Sequence, residues 1–388
     1  MPNFTNLTLQ ITGAIALAMV VCLIATPLTK RFAEKVGAID VPKDNRRIHA
    51  LPIPRLGGLA IFVSFILSVV VFAEIDREIQ GILFGSILIV SVGVVDDIIQ
   101  IKAIYKFLIQ VAAALIPIYF GVRIDLLSNP NIFAYSPYLN LGWFAIPLTL
   151  LWIVGITNAV NLIDGLDGLA VGVSTISSVT MLIVALFATA DANVAVVLAA
   201  LTGACIGFMP YNLNPAKIFM GDTGALLLGY LLSTMSIVGL FKSYAIISFA
   251  IPFLVLALPI FDTTFAIFRR VAKGKSPMQP DRGHLHHRLI DLGFSQKQAV
   301  FIIYLISGVL GLLAVTLISS GEVRTIFTLL IFFVVFTTML LVFKSSVLRP
   351  RNRKRVQDKG ENPVSDSMES EDSADNTDKP NSNGENSP

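Results

Sequence analysis

The chain has 388 residues, of which 54% are apolar and only 14% are charged. Its mean hydropathy of +0.75 excludes an ordinary soluble globular domain and indicates a membrane protein. The net charge of +3 is small, and no nucleic-acid partner is expected. Cys22 and Cys205 lie within apolar runs, which favours small core residues over a disulfide.

Eleven apolar runs follow one another along the chain, and each is long enough to cross about 30 Å of hydrocarbon as a helix. They are expected near residues 9–29, 57–73, 79–95, 104–120, 141–157, 168–188, 192–210, 218–240, 243–268, 297–319 and 324–343. The first run has its Lys and Arg residues after it, whereas a cleavable signal peptide has them before. The predicted fold is therefore an all-α polytopic membrane helix bundle that keeps this first span.

The positions of Lys and Arg predict the orientation of the bundle. With the N-terminus outside, 25 of the 29 Lys and Arg residues fall on the cytoplasmic side, as the positive-inside bias requires. From about residue 349 the composition becomes basic and then acidic, with few apolar residues. We expect residues 1–348 to form one transmembrane catalytic domain, and residues 349–388 to form a disordered cytoplasmic tail.

Polar and charged residues gather in five clusters at the expected membrane boundaries, where buried charge is costly. The first cluster contains Arg55 in the string PIPRLGG. This side chain is a candidate for holding phosphate, and an ordinary positively charged loop explains it equally well. In the second cluster, Asp96 and Asp97 end an apolar run and are followed by Lys102 and Lys106. Adjacent carboxylates repel each other without a nearby cation, so this pattern favours a metal–phosphate site over an acidic helix end.

The third and fourth clusters add amides and further carboxylates. The string NAVNLIDGLDGLA spaces four polar side chains three residues apart: Asn158, Asn161, Asp164 and Asp167. A continuous helix would place these four on one face, where they could bind a polar ligand. In the fourth cluster Asn212 precedes a span and Asp222 follows Phe219 just inside the apolar run. A divalent cation would neutralise Asp222, as would pairing with a neighbouring lysine.

The fifth cluster is the string PDRGHLHHRL in the connection before the tenth span. It contains three of the four histidines of the chain and an arginine, namely His284, His286, His287 and Arg288. These side chains could ligate a metal, donate hydrogen bonds to a sugar or phosphate, or lie in a solvated loop. We favour hydrogen-bond donors over a zinc site because no cysteine is near.

All five clusters fall on one side of the membrane by the count of crossings, so they can form a single site. Carboxylate and amide oxygens suit magnesium, and Lys, Arg and His supply positive charge for phosphates. Metal and cations together remove the repulsion between two reacting phosphates. A lipid phosphate could then react with a soluble nucleotide donor at the cytoplasmic boundary.

Four strings resemble the signature regions of the polyprenyl-phosphate N-acetylhexosamine-1-phosphate transferases, which are related to the phospho-MurNAc-pentapeptide translocase. They are VGVVDDIIQIKAIYKF, NAVNLIDGLDGLA, FMGDTGALLLGY and PDRGHLHHRL, and the match covers roughly residues 37–295. The resemblance implies a phosphotransferase that depends on Mg2+, with Mn2+ as a substitute, and that uses undecaprenyl phosphate as the acceptor and releases UMP. HLHHRL is similar to the branch that uses UDP-N-acetylglucosamine, as in the first step of teichoic acid linkage or O-antigen assembly.

The resemblance also implies roles for individual residues. Asp96, Asp97 and Asp222 would be catalytic, and Asp222 with Asp97 would hold the metal. Lys106 would contact phosphate, and Asp164, Asp167 and Asn161 would line the nucleotide and metal pocket. Phe219 would stack on uracil, and the histidines with Arg288 would hold the sugar phosphate. The substrate-binding candidates are Arg55, Lys106, Asn158, Asn161, Asp164, Asp167, Asn212, Phe219, His284, His286, His287 and Arg288.

The sequence is compatible with two routes for phosphate transfer and with two alternative functions. Asp96 or Asp97 could take the acceptor's proton for direct attack, or form a covalent aspartyl-phosphate. The peptidoglycan translocase and, from another class, a secondary transporter are the alternative functions. The expected partners are the two substrates and membrane lipids, and a homodimer is a further prediction.

Overall fold

The computed structural model describes residues 4–41, 52–128, 138–188, 191–241, 250–272, 274, 283–319, 324, 326–331 and 333. All of these belong to a compact unit, Met1–Met339. The predicted tail, 349–388, residues 42–51 of the first polar cluster and residues 334–343 of the eleventh expected span lie outside the described residues.

Twelve α-helices occur in the described part of the chain. They are α1 (Phe4–Val36), α2 (Gly57–Phe72), α3 (Arg77–Ile99), α4 (Ala103–Phe120), α5 (Ala145–Ile163), α6 (Leu169–Ala188), α7 (Ala192–Asn212), α8 (Gly221–Ser236), α9 (Ala250–Val255), α10 (Ala257–Ala272), α11 (Leu285–Asp291) and α12 (Gln296–Ile318). A 3-10 turn, Gly142–Phe144, precedes α5, and a π-helical segment, Ile237–Phe241, follows α8. Two short antiparallel pairs complete this part of the fold: β1 (Ile39–Asp40) with β2 (Ile53–Pro54), and β3 (Leu126–Ser128) with β4 (Tyr138–Asn140).

Eight helical segments in the described part of the chain are long and apolar enough to cross a membrane, which confirms a polytopic all-α protein. A ninth helix, α2, is apolar but has only 16 residues. Residues 243–249 of the expected span 243–268 lie outside the described residues, and the remainder is divided, because α9 ends at Val255 and α10 begins at Ala257. Pro259 has no N–H for the carbonyl of Val255, which accounts for the break. The count of eleven and the orientation stay predictions.

Helix ends on α3 and α12 are fixed by capping interactions. The side chain of Asp76 accepts a hydrogen bond from the Ile79 N–H at 2.8 Å and starts α3. Gln100 ends α3 with a left-handed φ of 53°. Ser295 and Gln298 form a capping box at the start of α12. The end of α3 matters most for function, because it carries Asp96 and Asp97.

The helix α8 lies at the centre of the bundle, and every residue from Thr223 to Ser236 is buried. Its neighbours approach closely through glycines. A Cβ atom on Gly58 of α2 would lie 2.1 Å from the Gly224 nitrogen, and one on Gly93 of α3 would lie 2.4 Å from the Thr223 Cα. Small residues of this kind allow helix backbones in a membrane to pack directly against each other. The first turn of α8 is thereby held between α2 and α3.

Replacing Gly58 by alanine should destabilise the protein by about 1–3 kcal/mol, because the added methyl group would have to push α2 away from the backbone of α8. The thermal unfolding midpoint of the purified protein in detergent measures this effect. Gly308→Ala is the matched control: Gly308 lies within α12, and a methyl group added there would meet no neighbour within 4 Å among the described residues. Alanine is the better helix former, so this variant should unfold at or above the wild-type midpoint. Equal midpoints for both variants would contradict the packing argument.

Candidate functional site

Lys106 connects two of the predicted aspartates. It lies in the first turn of α4, and its Nζ donates to Asp96 Oδ2 at 2.9 Å and contacts Asp222 Oδ2. The second oxygen of Asp96 accepts the backbone N–H of Ile101 at 2.9 Å. The second oxygen of Asp222 accepts from Asn161 Nδ2 at 3.0 Å. Residues from α3, α4, α5 and α8 therefore form one polar cluster.

Asp97 has a different environment from its neighbour Asp96. Its Oδ1 accepts the backbone N–H of Asp222 at 3.0 Å, and its Oδ2 accepts the N–H of Thr223 at 3.0 Å and the Thr223 hydroxyl at 2.7 Å. Arg55 Nε lies 3.8 Å from Asp97 Oδ1. The Asp97 side chain is 2% exposed, compared with 29% for Asp222. Asp97 thus caps the N-terminus of α8 and orients Asp222, a role that the sequence analysis did not predict.

The four polar residues of the third cluster do not share one helical face, which corrects the expectation of a continuous helix. The helix α5 ends at Ile163, so Asp164 and Asp167 lie in the connection to α6. Gly168 follows with a φ of +78°, a conformation that favours glycine and turns the chain into α6. Asn161 remains in the last turn of α5 and contacts Asp222.

Asn158 lies one helical turn before Asn161 and is committed to helix packing. Its Nδ2 donates to Gln110 Oε1 of α4 at 2.6 Å and to the Val154 carbonyl at 2.8 Å. Gln110 is 2% exposed and lies one turn after Lys106. This amide pair holds α4 against α5 beneath the Lys106–Asp222–Asn161 contacts. A substrate role for Asn158 stays a prediction.

Two asparagines shape the connection between α7 and α8. Asn212 accepts the Gly168 N–H at 3.2 Å and donates to the Ile218 carbonyl at 3.1 Å. Asn214 donates to Asp167 Oδ2 at 2.9 Å and to Gln296 Oε1 at 2.9 Å. The same oxygen of Asp167 accepts the N–H of Ala216 at 3.0 Å. These bonds join the α5–α6 and α7–α8 connections and the start of α12 into one wall.

Asp164, which is part of this wall, has a carboxyl group with a raised pKa. The residue retains partial exposure, but its carboxyl group is enclosed by protein. This burial, with smaller contributions from the charges of Asp97 and Asp167, raises the pKa of Asp164 to about 7. A carboxyl group with such a pKa changes its charge near neutral pH, which is common where protons or cations are exchanged.

The described residues enclose a cavity of about 820 Å3 beside the cluster. The predicted residues that line it are Arg55, Asp97, Asn161, Asp164, Asp167, Asn212, Phe219 and Asp222. Lys30, Asp40, Lys217 and Gln296 also line it, although the sequence analysis did not select them. Asp96 and Lys106 reach the cavity only through Asp222. The structure therefore brings four of the five sequence clusters to one end of the bundle.

Phe219 contributes to the site through its backbone hydrogen bonds as well as through its aromatic ring. Its N–H donates to the Pro54 carbonyl at 2.8 Å, and its carbonyl accepts the N–H of Gly57 at 3.0 Å. These bonds fix the segment before α8 against the segment before α2. The Phe219 side chain is half-buried at the cavity, which suits the predicted contact with a flat base.

The histidine cluster lies behind the cavity wall. His286 is 3% exposed, and a Cβ atom on Gly165 would lie 2.5 Å from its Nε2. Burial, with a smaller effect of the neighbouring His287, lowers the pKa of His286 to about 4, so this imidazole is neutral at physiological pH. Arg288 is exposed. Among the described residues, the cavity lining includes none of His284, His286, His287 or Arg288, and their contact with a sugar phosphate stays a prediction.

Asp262 is a charged residue that the sequence analysis missed. It lies in α10 and accepts from His284 Nδ1 at 2.9 Å and from the Leu285 N–H at 2.8 Å. An aspartate within an apolar run, twenty-two residues before a histidine, is the only trace of this pair in the sequence. A carboxylate inside a membrane-spanning run indicates a functional or pairing role.

A magnesium ion fits this site only with the help of its substrates. Within the described ranges, no three His, Cys, Asp or Glu side chains are arranged to hold a metal by themselves. Asp222 is partly exposed at the cavity, and Asn161 donates through Nδ2, which leaves its amide oxygen as a second ligand. Magnesium is usually bound by one or two carboxylates, water and substrate phosphates. Asp222, which is 29% exposed at the cavity, is therefore better placed to hold it than Asp97, which is 2% exposed and whose oxygens accept three hydrogen bonds. A metal role for Asp97 stays a prediction.

Comparison with known proteins places the chain in a family. Residues 79–240 match the family model described as glycosyl transferase family 4. The chain is 42% identical to the probable undecaprenyl-phosphate N-acetylglucosaminyl 1-phosphate transferase of Bacillus subtilis, over 84% of this chain and 90% of that protein. It is 33% identical to the decaprenyl-phosphate N-acetylglucosaminephosphotransferase of Mycolicibacterium smegmatis, over 80% of each chain.

A more distant relative is the phospho-N-acetylmuramoyl-pentapeptide-transferase of Staphylococcus aureus. It is 34% identical over 67% of this chain and 84% of that protein. All three relatives are transferases of a phosphorylated sugar by name, and the first two are named for a polyprenyl phosphate. Residues 79–240, which match the family model, contain Asp96, Asp97, Lys106 and Asp222. The chain therefore belongs to glycosyl transferase family 4, as a relative of the polyprenyl-phosphate N-acetylhexosamine-1-phosphate transferases.

Proposed function

We propose that this protein transfers N-acetylglucosamine-1-phosphate from UDP-N-acetylglucosamine to undecaprenyl phosphate, with release of UMP. The observation that carries the proposal is the Asp96–Lys106–Asp222–Asn161 cluster at the edge of a cavity of about 820 Å3. The B. subtilis and M. smegmatis relatives, named for N-acetylglucosamine transfer, match more of this chain than the pentapeptide transferase does. This difference favours the simple UDP-sugar over the peptide-bearing one.

Phosphate binding is favoured by the cations of the cavity. Arg55, Lys30 and Lys217 line it, and Lys106 lies behind Asp222. A UDP-sugar has a diphosphate and the lipid acceptor a third phosphate, so their approach needs positive charge fixed in advance. Lys106 also keeps Asp96 and Asp222 together in spite of their like charges. The cavity is therefore suited to two phosphate-bearing substrates.

Magnesium, with manganese as a substitute, is the proposed cofactor, and Asp222 with the amide oxygen of Asn161 would hold it. When bound, the metal supplies positive charge to the reacting phosphate. Asp97 acts by fixing the first turn of α8, because its oxygens accept the N–H groups of Asp222 and Thr223. This position keeps the Asp222 carboxylate at the cavity.

Asp96 is the proposed acceptor of the proton from the lipid phosphate. It lies beside the cavity, next to Lys106 and Asp222, and its oxygens accept fewer hydrogen bonds than those of Asp97. Each oxygen of Asp96 has a single donor, whereas the oxygens of Asp97 share three. The acceptor oxygen then attacks the phosphorus on the sugar side of the donor, and the bond to UMP breaks. Incubation with UDP-N-acetylglucosamine alone tests this one-step route, since a trapped phospho-enzyme would indicate a covalent intermediate.

The proposed location of the site is the cytoplasmic face of the cell membrane. The concentration of Lys and Arg on that side supports it, as does the need to meet a water-soluble nucleotide donor. The product would be undecaprenyl-diphospho-N-acetylglucosamine, the starting lipid for a cell-envelope polymer such as teichoic acid. A homodimer is part of the same proposal, and the mass of the purified protein in detergent tests it.

UMP release by the purified protein is the deciding test. Undecaprenyl phosphate in detergent is supplied with either UDP-N-acetylglucosamine or UDP-MurNAc-pentapeptide. We expect UMP with the first donor and at least about a hundredfold less with the second, because the cavity wall would have to accommodate a lactyl-peptide group. Faster release with the second donor would indicate the translocase function. Substrate uptake into proteoliposomes without UMP release would indicate a transporter.

A further inference from the structure

Asp262 and His284 form a nearly buried pair outside the cavity. Asp262 Oδ2 lies 2.9 Å from His284 Nδ1, and the two side chains are 8% and 5% exposed. The other oxygen, Oδ1, accepts the backbone N–H of Leu285 at 2.8 Å, which is the first residue of α11. One carboxylate therefore fixes both the imidazole of His284 and the start of the helix that follows it.

The pair determines which ring nitrogen of His284 carries a proton. An ionised carboxylate only accepts hydrogen bonds, so the proton of this contact lies on Nδ1 of the imidazole. In the neutral ring Nε2 is then an acceptor. In metal sites, a carboxylate that accepts a hydrogen bond from the second nitrogen of a histidine orients the ring, and its loss typically lowers metal affinity or activity by about 10–100-fold.

His284 is connected to the cavity wall through His286. The two rings are parallel, with centroids 5.8 Å apart and an interplanar angle of 7°. His286 in turn packs on Gly165, where even a methyl group would lie 2.5 Å from Nε2. Gly165 follows Asp164, and both residues line the cavity. A displacement of His284 would therefore reach the α5–α6 connection through direct contacts.

We infer that Asp262 is a positioning residue, which holds His284 and His286 against Gly165 and thereby keeps the Asp164–Asp167 wall in place for the nucleotide donor. This inference rests on the proposed function and adds a residue to it. Asp262 touches neither the cavity nor the Lys106–Asp222 cluster among the contacts of the described residues. Its influence reaches the cavity through His286, Gly165 and the Asp164–Asp167 wall, which is proposed to contact the nucleotide, and should therefore fall on the donor and not on the lipid acceptor.

Asp262→Asn tests the inference with little change of shape. If the asparagine oxygen keeps the contact with the Leu285 N–H, its NH2 group faces His284 Nδ1 and forces the proton to Nε2. We expect the KM for UDP-N-acetylglucosamine to rise about tenfold or more, with the KM for undecaprenyl phosphate within about twofold of wild type. Thr264→Val is the matched control, since Thr264 lies in the same helix and is exposed. It should leave both constants unchanged.

The ring protonation can be measured directly, because the chain has only four histidines. Solid-state 15N spectra of histidine-labelled protein in proteoliposomes should show an Nδ1–H signal from His284, assigned by its loss in His284→Gln. In Asp262→Asn this signal should move to that of the Nε2–H form. An unchanged tautomer, or equal rises in both KM values, would overturn the inference. So would a changed tautomer with an unchanged donor KM.

The two proposals fail in distinguishable ways. If the wild-type protein releases no UMP from UDP-N-acetylglucosamine, the proposed function is wrong, but the spectra still report whether Asp262 fixes His284. If the wild-type protein is active and Asp262→Asn matches it in every constant, only the positioning role is wrong. If Asp262→Asn fails to fold, Asp262→Glu replaces it: this variant keeps the acceptor charge but moves it by one methylene group, so the donor KM should rise while the acceptor KM stays unchanged. A donor KM equal to that of wild type together with a changed Nδ1–H signal would overturn the inference.

Discussion

Asp222→Asn should lower kcat for UMP release by about a thousandfold or more at saturating magnesium. The substitution keeps the shape of the side chain but removes the charge that Lys106 contacts and that would hold the metal. The fold should survive, because the backbone N–H of Asp222 still donates to Asp97. Steady-state UMP release, measured over a range of magnesium concentrations, checks the prediction.

Asp125→Asn is the matched control for charge removal. Asp125 is 55% exposed and lies 3.8 Å from Arg123, after the end of α4 that is remote from Lys106. An exposed ion pair of this kind contributes little, so activity should stay within about twofold of wild type. EDTA should abolish wild-type activity, and added magnesium should restore it. Full activity of Asp222→Asn in excess magnesium would remove Asp222 from the metal site.

The convergence of the polar clusters could be predicted from the sequence because alternate crossings of a membrane bring helix ends to the same side. Asp96 lies in the last turn of α3, Asn161 in the last turn of α5, and Asp222 in the first turn of α8. The structure brings all three to the Lys106 cluster. This part of the prediction needed only apolar run lengths and their order.

The local backbone around the third cluster could not be predicted in the same way. Three-residue spacing suggested one helical face, but α5 ends at Ile163 and Asp164 lies in a connection. The partners that stabilise this connection, such as Asn212 and Tyr304, lie far away in the sequence: Tyr304 donates to the Gly168 carbonyl from α12. Long-range hydrogen bonds therefore determine the backbone conformation of the α5–α6 connection, and the spacing of residues in the sequence does not reveal these bonds.

The different roles of Asp96 and Asp97 could not be predicted from the sequence either. Adjacent residues on a helix point about 100° apart, so only one of the pair can face the core of the bundle. The core position falls to Asp97, which caps α8, while Asp96 faces Lys106. Two identical residues stand side by side in the sequence, and only the packing of α3 against α8 separates their roles.

Asp97→Ala should therefore destabilise the protein, whereas Asp96→Ala should mainly lower its activity. Without the Asp97 carboxylate, two backbone N–H groups at the start of α8 lose their hydrogen-bond acceptor. The nearby Arg55 loses its negatively charged partner. Removing one partner from such a buried network costs about 3–5 kcal/mol. The unfolding midpoint in detergent should fall by about 5 °C or more.

Asp96→Ala supplies the contrast, because its carboxylate accepts one bond from Ile101 and one from the partly exposed Lys106. Its midpoint should stay within about 2 °C of wild type, while UMP release falls by at least about a hundredfold if Asp96 accepts the proton. Asp97→Ala should lose activity as well, since an uncapped α8 no longer holds Asp222 in place. If Asp97→Ala unfolds at the wild-type temperature, then Asp97 does not anchor α8, and its carboxylate must act on the substrates instead.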